Sequence, residues 1–278
     1  MNEWDTEFDL TAVAAGLLAG CPLVPYANGW DKTILRDEDS RLFAFCRRAV
    51  AVAGMQRELD VLPRIAAVLP VPVPMPRAEG TFSDQAWPWW SMGHLSGSEL
   101  ALSRAEDRVQ LAREVGQFLR QLHQLPPPVE LPVDPMNRSD AVRRATMTRE
   151  RLERLGVDPP GCLRTTLGPS LHAPVFSHGD LHLRHVLVDE NGRCSGIIDW
   201  GDVCLADRCV DLSVAYSGFD GAARAALIDE YGGLDGEAEE RSRVLAAFLC
   251  TALAEHATAT GNDGLLEGRL DGLRRTDS

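Results

Sequence analysis

The sequence predicts an α/β (α+β) chain of two lobes: a small N-terminal lobe with an antiparallel sheet and a helix, and a larger, mostly helical C-terminal one. Two observations carry this. The first ninety or so residues mix short β-prone runs with one amphipathic stretch, whereas helical periodicity dominates beyond about residue 97. The composition is that of a globular chain, 278 residues with 45% hydrophobic and 25% charged, which excludes a disordered or fibrous protein. No internal repeat is evident.

The elements follow in order. Leu10 to Val24 is apolar in patches, but it follows Glu3, Asp5, Glu7 and Asp9 and has no basic flank. It does not read as a signal peptide. Lys32–Leu35 and Leu42–Phe45 are β-prone and separated by the polar Arg36–Arg41, which suits a hairpin turn. Met55 to Leu69 places Leu59, Leu62, Ile65, Ala66 and Leu69 at helical spacing. The proline-rich Pro70–Pro76 ends that helix in extended backbone. Trp87, Trp89 and Trp90 lead into an expected strand at Ser91–Leu95, with Trp87 and Trp89 on one face and Trp90 on the other. Ser103 and Glu106 match a capping box. Val109, Ala112, Val115, Phe118, Leu119 and Leu122 then form one apolar stripe, closed by Pro126–Pro128. Ala141–Leu155 reads as an arginine-rich helix on the surface. Val175–Phe176, Val186–Val188 and Gly196–Ile198 read as short strands, and the chain from about Arg208 as helical with breaks at Gly232, Gly233 and Gly236.

Charge and cysteine content narrow the function classes. Twenty-eight basic against 41 acidic residues give a net charge of −13, which argues against a nucleic-acid partner. No apolar run reaches the roughly 18–20 residues that span a bilayer, so no membrane association is expected. Seven scattered cysteines without a C-x-x-C pair fit neither a disulfide framework nor a zinc site, and the expected location is cytoplasmic. Among the basic residues, Lys32 is the only lysine.

The stretch that carries chemistry runs from Ser177 to Asp202. Asp180 and Asp199 lie 19 positions apart, each beside a β-prone run. A hairpin of Val186–Val188 and Gly196–Ile198, turning at Asp189–Arg193, can bring two such carboxylates together. One can then accept a proton from a hydroxyl while the other holds a divalent metal. That pairing suits phosphoryl transfer, which is mostly positioning and charge neutralisation. An isolated H-G-D turn with a capping aspartate is the plainer alternative.

His178–Gly179–Asp180 followed by Ile198–Asp199–Trp200–Gly201–Asp202 resembles the signature of the aminoglycoside phosphotransferase family, antibiotic kinases with a protein-kinase-like fold. The H-G-D-L-H-L-R-H stretch is most similar to macrolide kinases and related actinobacterial members. Weaker similarity extends from Gly29–Trp30 through Arg57–Glu58 and Ser96–Gly97 to Asp211. The resemblance implies a nucleotide-binding lobe at 1–92, a hinge at 93–97 and a catalytic and acceptor-binding lobe at 98–278. It implies ATP or GTP as phosphate donor, with Mg2+, and a small hydroxylated acceptor.

By the same resemblance Asp180 is the catalytic carboxylate and Asp199 the metal-binding aspartate. His185 stands where the family has a metal-binding asparagine. Imidazole is a poor magnesium ligand, so His185 either binds metal weakly or hydrogen-bonds elsewhere. The Gly93 carbonyl and Leu95 amide match the backbone groups that pair with adenine. Glu58 matches the helical glutamate that pairs with a lysine on the third strand, but that strand places Ala44 at the lysine position. Lys32, on the preceding strand, is the expected replacement, as in the with-no-lysine protein kinases, with Arg47 as the fallback; a solvated loop lysine is the alternative. The resemblance gives His178 a bracing role, lets His182 line the acceptor site, and has Asp211 bond loop amides. His123 reads as a satisfied polar residue near a helix end.

For the acceptor, the resemblance points to Val129–Leu171 and Gly218–Glu267. Asp220, Glu230, Asp235, Glu237, Glu239, Glu240, Glu255 and Asp263 there can bind the amines of a cationic sugar antibiotic or form a solvated acidic face. Three functions remain open at this stage: an antibiotic kinase, a metabolic small-molecule kinase on the same fold, or a catalytically dead nucleotide-binding module.

Overall fold

A computed structural model describes residues 9–18, 21–84, 86–103, 108–260 and 271–277. The chain divides into two compact units. One comprises Met1–Val68, Pro72–Leu95 and Asp199–Val203, the other Leu69–Val71, Ser96–Ile198 and Cys204–Ser278. The division is not a single cut, because the strip that begins at Asp199 belongs with the N-terminal unit.

The N-terminal unit holds helix α1 (Leu10–Leu17) and a five-stranded antiparallel sheet. Its strands are β1 (Val24–Asn28), β2 (Lys32–Arg36), β3 (Leu42–Cys46), β4 (Pro76–Phe82) and β5 (Trp87–Met92), in the order β1-β2-β3-β5-β4. The β2–β3 hairpin falls where the sequence predicts it. Asp37, in its turn, accepts the backbone N–H of Arg41 at 2.8 Å and the Arg41 Nε at 2.6 Å. Lys32 lies opposite Cys46 and Ile34 opposite Ala44, so Lys32 and Ala44 share a face one diagonal apart. The strand expected at Ser91–Leu95 lies earlier, at Trp87–Met92, because the indoles pay for strand formation by burial. Trp89 stacks on Phe45 with ring centroids 6.0 Å apart, and all three tryptophans are core residues. Strands β1 and β4 are proline-bearing and were not expected.

Helix α2 (Val52–Ile65) packs beside β4 and β5. Its buried face is Met55, Glu58, Val61, Leu62 and Ile65; of the expected stripe Leu62 and Ile65 lie on that face, Leu59 is half-buried, and the helix ends before Ala66 and Leu69. A carboxylate on the buried face of a helix needs a partner, and Glu58 has one.

In the C-terminal unit, β8 (Val186–Val188) and β9 (Cys194–Ile197) form the expected hairpin, with β6 (Ser98–Glu99) on the outer side of β8. Asp189 closes the turn by accepting the N–H groups of Asn191 (2.9 Å) and Arg193 (2.8 Å). Strand β7 (Val175–Ser177) pairs with β10 (Cys204–Ala206). The helices are α3 (Val109–Gln124), α4 (Ala141–Leu155), α5 (Cys209–Gly218), α6 (Gly221–Tyr231) and α7 (Gly236–Thr260). Helix α3 starts at Val109 with no side-chain cap from Arg108, and Glu106 of the expected capping box lies outside the described residues. Helix α4 has the predicted bounds but is not a surface helix. Ala141, Arg144, Ala145, Thr148 and Leu152 are buried, and α4 packs on α7. A further helix break falls at Phe219–Asp220, between Gly218 and Gly221. All seven cysteines are free, and no helix among the described residues is long and apolar enough to cross a membrane.

Candidate active site

In the N-terminal unit the site is an ion-pair cage around the lone lysine. The Lys32 Nζ lies 2.7 Å from Glu58 Oε1 and 2.7 Å from Asp199 Oδ1. Its side chain is 12% exposed, that of Glu58 only 2%. Burial pulls the ammonium's pKa down, but the carboxylates of Asp199 and Glu58 outweigh it and hold the pKa above the ordinary lysine value. Glu58 Oε1 also accepts the Trp200 N–H at 2.7 Å, tying the α2 carboxylate to the backbone next to Asp199. Asp199 itself has φ 66, a left-handed conformation that costs a non-glycine residue on the order of 1–3 kcal/mol and clusters at functional positions.

The approach that allows this is local. A Cβ on Gly54 would lie 2.8 Å from the Gly201 carbonyl oxygen, so only glycine admits the Gly201 backbone there. Arg57 then donates to that carbonyl at 2.8 Å. Arg47, the fallback base, instead donates to the Gly29 carbonyl. The Gly93 carbonyl and Leu95 amide form no backbone hydrogen bond among the described residues. Nearby, the Tyr26 hydroxyl and His94 Nε2 are 3.1 Å apart.

In the C-terminal unit Asp180 sits on the loop after β7, and every neighbour of that loop constrains it. Asp211, fully buried on α5, accepts the N–H groups of His178 (2.8 Å) and Gly179 (2.9 Å). Gly179 has φ 85, which a side chain would resist. His123 Nε2 lies 3.1 Å from Asp211 Oδ2, and its Nδ1 3.0 Å from the Tyr231 hydroxyl. Burial alone would raise the Asp211 pKa, but hydrogen bonding and charge from His123, with His178 and the Gly179 amide, hold it below the usual carboxylate value. His123 is therefore part of the loop's support, a role that its helical position did not reveal. His178 braces the loop as predicted: its Nδ1 accepts the Asp180 N–H at 3.3 Å and its Nε2 donates to the Ile198 carbonyl at 3.0 Å.

Arg138 is the residue that the sequence reading missed. Asp134 accepts the N–H groups of Arg138 and Ser139 at 2.7 and 2.9 Å, which fixes the turn before α4. The guanidinium donates to the Gly179 carbonyl at 2.8 Å and lies 3.3 Å from Asp180 Oδ1. Only the preceding Asp-Pro-Met-Asn turn hinted at an ordered segment; nothing pointed to the loop 41 residues on.

His182 and His185 stack with ring centroids 3.7 Å apart. Together with Asp180 they place potential metal-ligating atoms within 4.8 Å of one another. The hydrogen bonds sort these donors. His185 Nδ1 donates to the Asp180 carbonyl at 2.8 Å, leaving Nε2 as its lone pair. His182 Nδ1 accepts the Arg184 N–H at 3.2 Å, so its proton is on Nε2, 3.8 Å from Asp180 Oδ2. His182 Nε2 thus faces the carboxylate from beyond hydrogen-bonding distance. For magnesium, which takes oxygen ligands, the carboxylate of Asp199 fits and the His185 nitrogen is a softer donor.

The acids expected to form an acceptor surface are mostly engaged. Glu255 pairs with Arg151 (3.1 Å) and Arg154 (2.7 Å), Asp235 with Arg208 (2.7 Å), Glu237 with Arg241 (2.8 Å) and Glu239 with Arg243 (2.9 Å). Arginines, on α4 for Glu255 and one turn along α7 for Glu237 and Glu239, neutralise these acids. Asp263 lies outside the described residues.

Residues 22–245 match the family model described as Phosphotransferase enzyme family. The chain is 43% identical over 61 residues to the uncharacterized protein YcbJ of Bacillus subtilis (strain 168), a match covering 21% of this chain and 20% of that protein. By structure it is similar to APH(2'')-IIIa, solved with GDP and kanamycin (TM-score 0.69, 16% identity, 96% of this chain and 97% of that one). It is also similar to the macrolide 2'-phosphotransferase MphH from Brachybacterium faecium, solved as the apoenzyme (TM-score 0.60, 22% identity, 95% and 97%).

Proposed function

Since the chain belongs to the phosphotransferase enzyme family, we propose that it transfers the γ-phosphoryl group of ATP or GTP to a hydroxyl of a small molecule. An antibiotic is the acceptor class suggested by the likeness to proteins named for aminoglycosides and macrolides. The observation that carries the reading is the Lys32–Glu58–Asp199 cage, a fixed cation between two acids where the third strand offers only Ala44.

In this reading the acceptor oxygen attacks the γ-phosphorus, the bond from that phosphorus to the β–γ bridging oxygen breaks, and its electron pair leaves with the nucleoside diphosphate. The acceptor's proton passes to the Asp180 carboxylate. Arg138, 3.3 Å from Oδ1, holds that carboxylate in place. Lys32 offsets charge on the phosphates, and Glu58 keeps its ammonium from swinging away. Gly93 and Leu95 would pair with the base. Magnesium, held through the Asp199 carboxylate with His185 as a softer candidate, supplies charge neutralisation when bound.

The test combines nucleotide binding with turnover. Thermal-shift titrations of ATP and GTP, with and without magnesium, precede assays for ADP or GDP release with kanamycin and a macrolide. The expected result is magnesium-dependent nucleotide binding and acceptor-dependent release of diphosphate. Magnesium-dependent nucleotide binding without any diphosphate release would refute the reading in favour of a catalytically dead nucleotide-binding module, and absence of nucleotide binding would refute both.

A further inference from the structure

Three residues of α2 grip the strip that starts at Asp199, and they share one face of the helix. Gly54, Arg57 and Glu58 stand at i, i+3 and i+4, the spacing of neighbours on a helix surface. Gly54 admits the Gly201 carbonyl, which a Cβ would meet at 2.8 Å. Glu58 Oε1 accepts the Trp200 N–H at 2.7 Å, and Arg57 Nη2 donates to the Gly201 carbonyl at 2.8 Å. The dipeptide Trp200–Gly201 is thus held at both ends, by a carboxylate on its leading N–H and a guanidinium on its trailing carbonyl. The Trp200 side chain is fully buried, and the Val203 N–H closes a turn on the Trp200 carbonyl at 3.2 Å.

Asp199, immediately ahead of this dipeptide, keeps φ 66. A left-handed conformation at a non-glycine residue persists only where its surroundings over-determine it. Glu58 is also committed to Lys32, so its bond to Trp200 serves two ends. Arg57 has no such second task. The bond to Gly201 is the one hydrogen bond that its side chain makes among the described residues, and its Nε is buried without an acceptor. A charged donor makes that bond roughly twice as strong as a neutral one would.

We infer that Arg57 is a positioning residue: by holding the Gly201 carbonyl it keeps Asp199 in its left-handed conformation and so sets the direction of the carboxylate that would hold magnesium. The inference rests on the kinase reading for the metal, and it assigns a role to a side chain that touches neither metal nor nucleotide. Groups that orient a metal ligand from behind typically change metal affinity by about 10–100-fold. A tether that merely attached α2 to the strip would affect nucleotide binding to the same degree whether or not magnesium is there.

That difference sets the test. ATP is titrated calorimetrically into the full chain, once in magnesium and once in EDTA, for wild type, Arg57→Met and Arg57→Lys. Arg57→Met should weaken binding in magnesium about tenfold and leave binding in EDTA within about twofold. Arg57→Lys keeps a charged donor on a flexible stem and should recover part of the loss. An equal loss in both media, no loss in magnesium, or a lysine no better than methionine would each overturn the inference. If Arg57→Met does not fold, amide hydrogen exchange on the nucleotide-free wild type still decides. The Trp200 and Val203 amides should exchange slowly, because the grip is closed before any ligand arrives; exchange as fast as that of an open loop would overturn it. A wild type whose ATP affinity ignores magnesium sinks the kinase reading and this inference with it. A wild type that responds to magnesium, beside an Arg57→Met that responds equally, sinks this inference alone.

Discussion

Replacing Lys32 by methionine tests the centre of the proposed mechanism, because the structure sets two magnitudes that need not move together. The side chain is nearly buried and pairs with two carboxylates at 2.7 Å. Removing one partner of a buried pair typically costs 3–5 kcal/mol, since the other charge stays behind in low dielectric. Almost all of that falls on Glu58. Asp199 is 45% exposed, and solvent-screened pairs contribute only about 0–1 kcal/mol. A stability loss of about 3–4 kcal/mol follows, read as a fall in melting temperature of roughly 6–15 °C at the sensitivity usual for units of this size. Turnover should drop on the order of 10²-fold or more, as for loss of a charge that stabilises transferring phosphate. Adding Glu58→Gln removes the stranded charge while keeping an acceptor for the Trp200 N–H, so the double variant should regain much of the stability and none of the turnover. The sign with pH is also fixed. A raised lysine pKa gives stability present in full below about 10.4 and lost only as pH climbs through the higher folded-state value. Scanning calorimetry and steady-state kinetics on the single and double variants measure both quantities. A Lys32→Met enzyme with ordinary kcat would refute the argument, as would a double variant that regains activity along with stability.

Asp180→Asn should leave nucleotide affinity nearly unchanged while kcat falls by about 10²–10⁴; a near wild-type kcat would remove Asp180 from the chemistry. Asp199→Ala should abolish the magnesium dependence of nucleotide binding, and an unaltered magnesium titration would show that the metal is held elsewhere. Lysine at position 44 in the Lys32→Ala background should restore part of the activity, because Ala44 shares the Lys32 face one diagonal away; an inactive but folded double variant would argue against interchange. Asp211→Asn should loosen the loop that carries Asp180 and lower stability by about 2–4 kcal/mol, given that charged acceptors are worth roughly twice neutral ones. Since the Asp211 pKa is depressed, its contribution is present above about pH 3.9 and lost as pH falls through the lower folded value. Wild type and variant should therefore converge in melting temperature only in strong acid, and a constant gap down to the lowest pH would exclude the charge as the cause.

What could be read from the sequence was what is local in the chain. The His178–Asp180 loop and the Asp189–Arg193 turn carry their conformations in adjacent residues, and α4 begins at a capping Asp140 and ends at Gly156 in the left-handed region. The family resemblance together with the solitary lysine pointed to Lys32, and the structure places its ammonium between Glu58 and Asp199 rather than in solvent. The rest depends on partners that periodicity does not name. Strand β4 begins at Pro76, and its pairing with an indole-rich β5 outweighs a composition that reads as a linker. Arg138 and His123 act on a loop more than forty residues ahead of them. Among the acids near the C-terminus, Glu255 meets arginines of another helix, α4, whereas Glu237 and Glu239 pair with Arg241 and Arg243 one turn on in α7 itself, a spacing the sequence already showed.

The Lys32 cage has an analytical consequence. The chain holds a single side-chain amine, and acylation requires that amine neutral and exposed. The two carboxylates deny both conditions while the cage is closed. An amine-directed ester therefore becomes a clock for one local event, the simultaneous release of Lys32 by Glu58 and Asp199. No other lysine contributes background, so once the α-amino group is set apart by digestion, the labelling rate of the peptide that carries Lys32 reports that opening without mutation. Comparing the rate with and without nucleotide would read occupancy of this position from that peptide's mass shift.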